Sequence, residues 1–145
     1  RKGAFRFMNI DSIQNGVVLD HIQAGKSMEI YKHLKPDELD CSVAIIKNVR
    51  SGRMGKKDII KIDADVPIDF DLIGYVDPDV TINFIRDEKL VEKKTVTLPK
   101  ELKNVLYCKN PRCITSVERG LDHIFKLTEA KNKVYRCIYC ETKAE

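Results

Sequence analysis

The sequence predicts an α+β chain in two parts, on three observations. Five runs rich in β-branched residues interleave with two short amphipathic stretches up to residue 98. The pair Leu98-Pro99 then ends that pattern. Beyond it lie two close cysteine pairs, Cys108/Cys113 and Cys137/Cys140, in a segment too short to bury much core of its own.

The elements follow in order. After Gly16, residues 17–22 (VVLDHI) read as a strand. Met28, Tyr31 and Leu34 recur at helical spacing, and Lys35-Pro36 ends that helix because proline has no N–H to continue it. Residues 43–49 and the isoleucines Ile59, Ile60 and Ile62 flank a turn containing Ser51-Gly52 and Gly55, which predicts a hairpin. Ile68, Leu72, Ile73 and Val76 make a second short helix, stopped by Asp77-Pro78. Residues 80–85 and 90–98 supply further strands. The order β-α-β-β-α-β with one extra strand is the split βαβ, ferredoxin-like arrangement, an antiparallel sheet with two helices on one face. The expected domains are 1–98 and 99–145. Residues 1–7 read as an arm, a cloning remnant or the end of a preceding segment, with Met8 able to serve as a natural start.

The cysteine spacing is C-x4-C, 23 residues, then C-x2-C. Two to four residues in a tight turn bring two sulfurs to about 2.3 Å from one tetrahedral metal, so Cys108, Cys113, Cys137 and Cys140 are expected to hold one Zn²⁺. With all four positions taken by thiolate, no place remains for water or substrate, and the ion is structural. The competing readings are two disulfides or four buried reduced thiols. Two close pairs at one end of a short chain rarely arise from packing alone. His123 is a weaker candidate ligand, and Cys41 reads as a small buried apolar residue. A zinc-ribbon-like all-β domain is the expected setting.

Bulk properties exclude several classes. No apolar run approaches the roughly 20 residues that span a bilayer, so no membrane partner is expected. No apolar stretch follows the basic N-terminus as a signal peptide requires, and a cytoplasmic, reducing location is expected. The net charge is +4, but residues 1–98 hold 16 basic and 16 acidic side chains, and residues 99–145 hold 10 and 6. Four thiolates on one dication lower the total to about +2, too little for a nucleic-acid groove. There is no Walker-type glycine loop, Gly-x-Ser-x-Gly or zinc-protease helix, so no enzyme is expected.

In the first domain a few polar residues sit among apolar strand neighbours: Asp20 and His21, Lys61 between Ile60 and Ile62, Asn83 between Ile82 and Phe84, and Lys93-Lys94. Alternation turns Lys61 and Asn83 away from the core. On an open face, the lysines suit phosphates and Asp20 suits a base amino group or a sugar hydroxyl. A solvated sheet face explains the same residues.

The stretches VVLDHI (17–22), SGRMGKKDIIKID (51–63), TIN (81–83), NVLYCKNPRCI (104–114) and YRCIYCE (135–141) resemble the regulatory chain of aspartate carbamoyltransferase. SGxMGxKDxIKI is the most specific segment. The resemblance implies a non-catalytic chain whose first domain binds ATP or CTP and whose zinc domain docks on the catalytic chain of pyrimidine biosynthesis. It implies nucleotide contacts at Asp20, His21, Lys61 and Asn83, a phosphate contact at Lys93, and an apolar lining of Ile13, Val18 and Leu90. It also implies a homodimer of regulatory chains inside a larger hetero-oligomer. Glu88 stands where an aromatic residue can occur in the family. The alternative function is a zinc-ribbon nucleic-acid-binding protein.

Overall fold

Period-two alternation governs the first strand: Val17, Leu19 and Ile22 are fully buried, and the residues between them are not. The computed structural model describes residues 13–145, so the arm read at residues 1–7 and the start at Met8 lie outside the described residues. Elements run β1 (Gly16–Gln23), α1 (Ser27–His33), a 3-10 turn (Pro36–Glu38), β2 (Val43–Ser51), β3 (Gly55–Ile62), α2 (Phe70–Val76), β4 (Thr81–Arg86) and β5 (Lys89–Thr95). After these come β6 (Glu101–Lys103), α3 (Ile114–Val117), β7 (Ile124–Glu129) and β8 (Val134–Cys137). The chain divides into two compact units between Thr97 and Leu98.

In the first unit the strand order is β2-β3-β1-β4-β5, and every neighbouring pair is antiparallel. β3 lies between β1 and β2, and β1 between β3 and β4, which is the ferredoxin-like interleaving with β5 added at one edge. Ile30 from α1 and Ile73 and Val76 from α2 pack on Val17, Leu19, Ile22, Ile60, Ile62 and Ile82. Each such side chain contributes roughly 1.5–3 kcal/mol on leaving water. Among the described elements of the first unit, both helices lie on this one face of the sheet.

The buried stripe of α1 begins one residue earlier than the apolar spacing predicts. Ser27 and Ile30 turn inward, Tyr31 and Leu34 pack half-buried, and Met28 is 44% exposed. Ser27, Ile30, Tyr31 and Leu34 are i, i+3, i+4 and i+7, and the polar first member hid the stripe. α2 is capped by Asp69, whose carboxylate accepts the Leu72 N–H at 3.2 Å. At its other end Asp77 accepts the Gln23 N–H at 2.7 Å and the Asp79 N–H at 3.0 Å, tying α2 to the end of β1.

Gly74 lets α2 lie against the strand end: a Cβ there would strike the Thr97 carbonyl oxygen. Alanine normally favours a helix over glycine by about 1 kcal/mol, but relieving this clash means moving backbone. Gly74→Ala is therefore expected to lower stability by about 1–3 kcal/mol. Thermal unfolding checks the sign, and a raised midpoint would refute the close approach.

The second unit is the meander β6-β7-β8. Leu102, Phe125, Val134 and Tyr135 fill it, and the buried Tyr135 hydroxyl donates to the Pro99 carbonyl at 2.7 Å. No helix among the described residues is long and apolar enough to cross a membrane.

Candidate functional site

The cysteines come from two turns. One is the loop between β6 and α3, which carries Cys108 and Cys113; the other follows β8 and carries Cys137 and Cys140. All four Sγ atoms lie within 4.8 Å of one another. Cys108 and Cys140 are 3.5 Å apart, and Cys113 and Cys137 are 3.7 Å apart. Sulfurs at about 2.3 Å from a tetrahedral centre stand about 3.8 Å from each other, so the set fits a thiolate-bound metal.

Polar groups surround the sulfurs as thiolates require. Thr115 donates its hydroxyl to Cys113 at 3.1 Å, and Thr142 Oγ1 lies 3.1 Å from Cys140. The N–H groups of Asn110, Thr115, Tyr139 and Thr142 are also turned toward sulfur. The Thr142 hydroxyl draws the Cys140 thiol down to about 6, whereas burial pushes Cys108 up to about 12. A coordinated dication deprotonates such thiols outright.

His123 stands outside this ligand set. Its Nδ1 accepts the Cys108 N–H at 3.1 Å, which places any single ring proton on Nε2, and its ring meets Tyr107 edge-on at 4.9 Å. Asn110 also works within the turns. It accepts the Arg112 N–H at 3.0 Å and donates to Thr142 at 3.3 Å, linking the two cysteine turns. Spacing alone gave no hint of either role.

In the first unit the register sets the second candidate site. Lys61 pairs with Val18, Val18 with Asn83, and Asn83 with Lys93. Paired residues share a face, so these four form one row across β3, β1, β4 and β5 on the side away from the helices. All eight residues expected there, Ile13, Val18, Asp20, His21, Lys61, Asn83, Leu90 and Lys93, line one open depression of about 530 Å³. Its size is ordinary for a small-molecule site.

Two β-bulges make this convergence possible. In β1 the pairing with β3 slips between Leu19 and Ile22, so one extra residue is absorbed. His21 takes φ 58°, and both Asp20 and His21 face outward while Ile22 returns to the core. In β5 the slip between Phe84/Glu92 and Ile85/Leu90 leaves Val91 over, which brings Leu90 and Lys93 to the same face.

Lys57 pairs with Asp20 at 3.0 Å, and the His21 N–H donates to the same carboxylate oxygen at 2.6 Å. Burial works to raise the Asp20 carboxyl, but the Lys57 ammonium and that N–H hold it below its ordinary range. His21 Nδ1 lies 2.9 Å from Thr81 Oγ1, which fixes the ring. The site residues expected from the sequence omitted Lys57, Ile59 and Ile85, and Glu88, noted there only as a departure from the family, lines the same depression. Lys57 and Ile59 stand two residues apart with Lys61, so strict alternation along β3 would have found them.

Two family models cover the described units. Residues 8–97 match "Aspartate carbamoyltransferase regulatory chain, allosteric domain", and residues 100–145 match the metal binding domain of the same chain. A Clostridium botulinum protein named aspartate carbamoyltransferase regulatory chain is 48% identical over 134 residues, covering 92% of each chain. One of the same name from Clostridium tetani is 46% identical over 135 residues, covering 92% of this chain and 94% of its own. Another from Bifidobacterium longum is 42% identical over 138 residues, covering 95% and 99%. By sequence, and with a four-cysteine cluster where its metal binding domain matches, the chain belongs to the aspartate carbamoyltransferase regulatory chain family.

Proposed function

We propose that this chain is a non-catalytic, cytoplasmic subunit that binds ATP and CTP on the open sheet face of its first unit and conveys their presence to aspartate carbamoyltransferase catalytic chains in pyrimidine biosynthesis. The row Lys61, Val18, Asn83, Lys93 carries this reading. Two ammonium groups flank an apolar and an amide side chain, which suits a flat base and a charged phosphate tail together. Asp20 and His21, set outward by the bulge, supply polar contacts at one end. No chemistry is assigned to the site. By reciprocity, a nucleotide that alters the catalytic chain's affinity for substrate has its own affinity altered equally by that substrate.

In the second unit one Zn²⁺ on Cys108, Cys113, Cys137 and Cys140 is the natural occupant, because four thiolates in a tetrahedral set favour it over hard cations. Docking on the catalytic chain is assigned to the surface around the cysteine turns. Tyr107, Ile114, Val117, Ile138 and Tyr139 are large, apolar and exposed there, beside the charged Lys109 and Arg112. The first unit is assigned to pair with its copy in a second chain, for which β2 and β5, the outer strands of the sheet among the described residues, offer backbone groups.

Lys61→Ala and Lys93→Ala are each expected to weaken CTP or ATP binding about tenfold or more, since each removes a charge-assisted contact. Lys94→Ala is the matched control. That side chain sits over the Phe70 ring at 4.9 Å and is absent from the depression. Titration calorimetry on the full chain reads all three. Equal losses at the three positions would replace a defined site with a diffuse basic surface.

A further inference from the structure

We propose that the hydroxyls of Thr115 and Thr142 hydrogen-bond to the metal-bound thiolates of Cys113 and Cys140 and so set how firmly the second unit holds its ion. The inference rests on the metal reading of the four cysteines. It goes beyond that reading by giving two residues outside the ligand set a share in metal retention.

The sequence after the second cysteine of each pair repeats. Cys113-Ile114-Thr115 and Cys140-Glu141-Thr142 both place a threonine two residues beyond the sulfur. The geometry repeats with it. Thr115 Oγ1 lies 3.1 Å from Cys113 Sγ, and Thr142 Oγ1 lies 3.1 Å from Cys140 Sγ. In both turns the threonine N–H is turned toward the same sulfur. Any residue but proline offers an N–H at this position, and Asn110 and Tyr139 offer theirs to Cys108 and Cys137. A hydroxyl that reaches the sulfur is a property of the side chain. Its recurrence in two turns of different length singles out this pair.

Donor counts fix the direction of each bond. A hydroxyl has one proton and two lone pairs, and a thiolate bound to a metal has no proton to give. In the second turn the Asn110 amide donates to Thr142 Oγ1 at 3.3 Å, which leaves the threonine proton for Cys140. In the first turn Thr115 is the donor to Cys113, and both are buried, at 9% and 1% exposure.

Four thiolates on one dication carry a net negative charge. Each donor to sulfur spreads that charge and makes the ligand harder to protonate or displace. The two hydroxyls differ in what can replace them. Cys113 is closed to water, so loss of the Thr115 hydroxyl leaves its sulfur short of a donor. Thr142 is exposed and Cys140 half-buried, so water takes the place of a hydroxyl lost there. Thr115 is therefore the stronger of the two.

The test uses the full chain with Thr115→Val and Thr142→Val, which keep the shape and lose the hydroxyl, and with Thr115→Ser and Thr142→Ser, which keep it. Zinc affinity is read by competition with EGTA, and the sulfur itself by the thiolate-to-metal charge-transfer band of the Co²⁺-loaded protein. A hydrogen bond lowers the energy of the sulfur lone pair, so its loss moves that band to longer wavelength. Thr115→Val is expected to weaken zinc binding about tenfold or more and to shift the band. Thr142→Val should shift it less and weaken binding by under about tenfold. Both serine variants should match the unaltered chain. A threonine that served packing alone would alter affinity without moving the band, and serine, lacking the methyl, would not restore it. Valine variants that hold zinc within about twofold of the unaltered chain and leave the band in place overturn the proposal. A serine variant that behaves like its valine counterpart does the same. If a valine variant takes up no Co²⁺, its serine counterpart decides: normal loading supports the hydroxyl's role, and failed loading overturns it. An unaltered chain that binds neither ion overturns the metal reading, and this proposal with it.

Discussion

Removing the metal, by chelation or by Cys113→Ser, is expected to unfold the unit Leu98–Glu145 and leave the first unit folded. The reason lies in what fills the second unit. Its buried apolar side chains are Leu102, Phe125, Val134 and Tyr135, together with the ligands Cys108, Cys113 and Cys137. A unit of about fifty residues with so small a core falls below the size at which burial alone usually suffices. Structural zinc contributes about 10–16 kcal/mol of apparent binding free energy in comparable small sites, and that energy is folding energy. Clustering of the four sulfurs without a cation also leaves like charges together if they ionise, so Ser at one position removes both a ligand and the match of charge. Metal analysis should find one Zn²⁺ per chain, and amide resonances of residues 98–145 should collapse on chelation while those of 13–97 persist. Cys41→Ser, outside the cluster, should do neither. A metal-free protein with a dispersed second unit would refute this account. The docking role predicts in addition that chelation abolishes association with the catalytic chain but spares nucleotide affinity.

Much of this architecture was legible because it rests on period and spacing. Ile60 and Ile62 alternate with Lys61, and that fixes which side of β3 is wet. The cysteine spacing marked the ligands for the same kind of reason: two to four intervening residues in a tight turn let a pair of sulfurs reach one ion at about 2.3 Å. What the sequence concealed was the places where period fails on purpose. Strict alternation turns His21 toward the core and separates Leu90 from Lys93. One inserted residue in each strand reverses both outcomes. The polarity of His21 among VVLDHI hints that something must give, but nothing local says where the extra residue is absorbed. The partner strand decides that, and it arrives some forty residues later in the chain. His123 and Asn110 were obscure for a similar reason, since their partners Cys108 and Thr142 are brought near only by the assembled turns.

Asp58 pairs in register with Ile22, where the first of these bulges ends, and its replacement is expected to have the largest effect in the first unit. Asp58 is fully buried on the helix side of β3. It accepts the N–H groups of Asn48 at 2.9 Å, Gly25 at 3.1 Å and Ser27 at 3.4 Å. Helix α1 has no side-chain cap of its own, so this carboxylate serves its first turn from another strand. β3 also faces an irregularity on each side here. β1 slips between Leu19 and Ile22, and β2 slips between Ile46 and Val49, where Asn48 takes φ 60°.

Asp58→Ala strands the buried Ser27 N–H and the partly buried Asn48 and Gly25 N–H groups, at about 1–3 kcal/mol for a buried donor and less for the others, so a loss of about 3 kcal/mol is expected. In a domain of this size that lowers the midpoint of thermal unfolding by about 15 °C. Burial alone would raise the carboxyl, but the nearby Ser27 hydroxyl and the hydrogen-bonding N–H groups of Asn48, Gly25 and Ser27 outweigh it and hold it below its ordinary range. A depressed carboxyl contributes stability that is complete above its unfolded value of about 3.9 and is lost as pH falls through the lower folded value. Stability measured against pH should therefore decline below about pH 4 in the unaltered chain, and its margin over Asp58→Asn should shrink over the same range. Because the β1 bulge presents Asp20 and His21, the Asn variant should also bind CTP or ATP less tightly at neutral pH, where it is still folded. An unchanged midpoint in Asp58→Ala would remove Asp58 as the keystone of this corner. A destabilised variant with intact nucleotide affinity would confine its role to the fold.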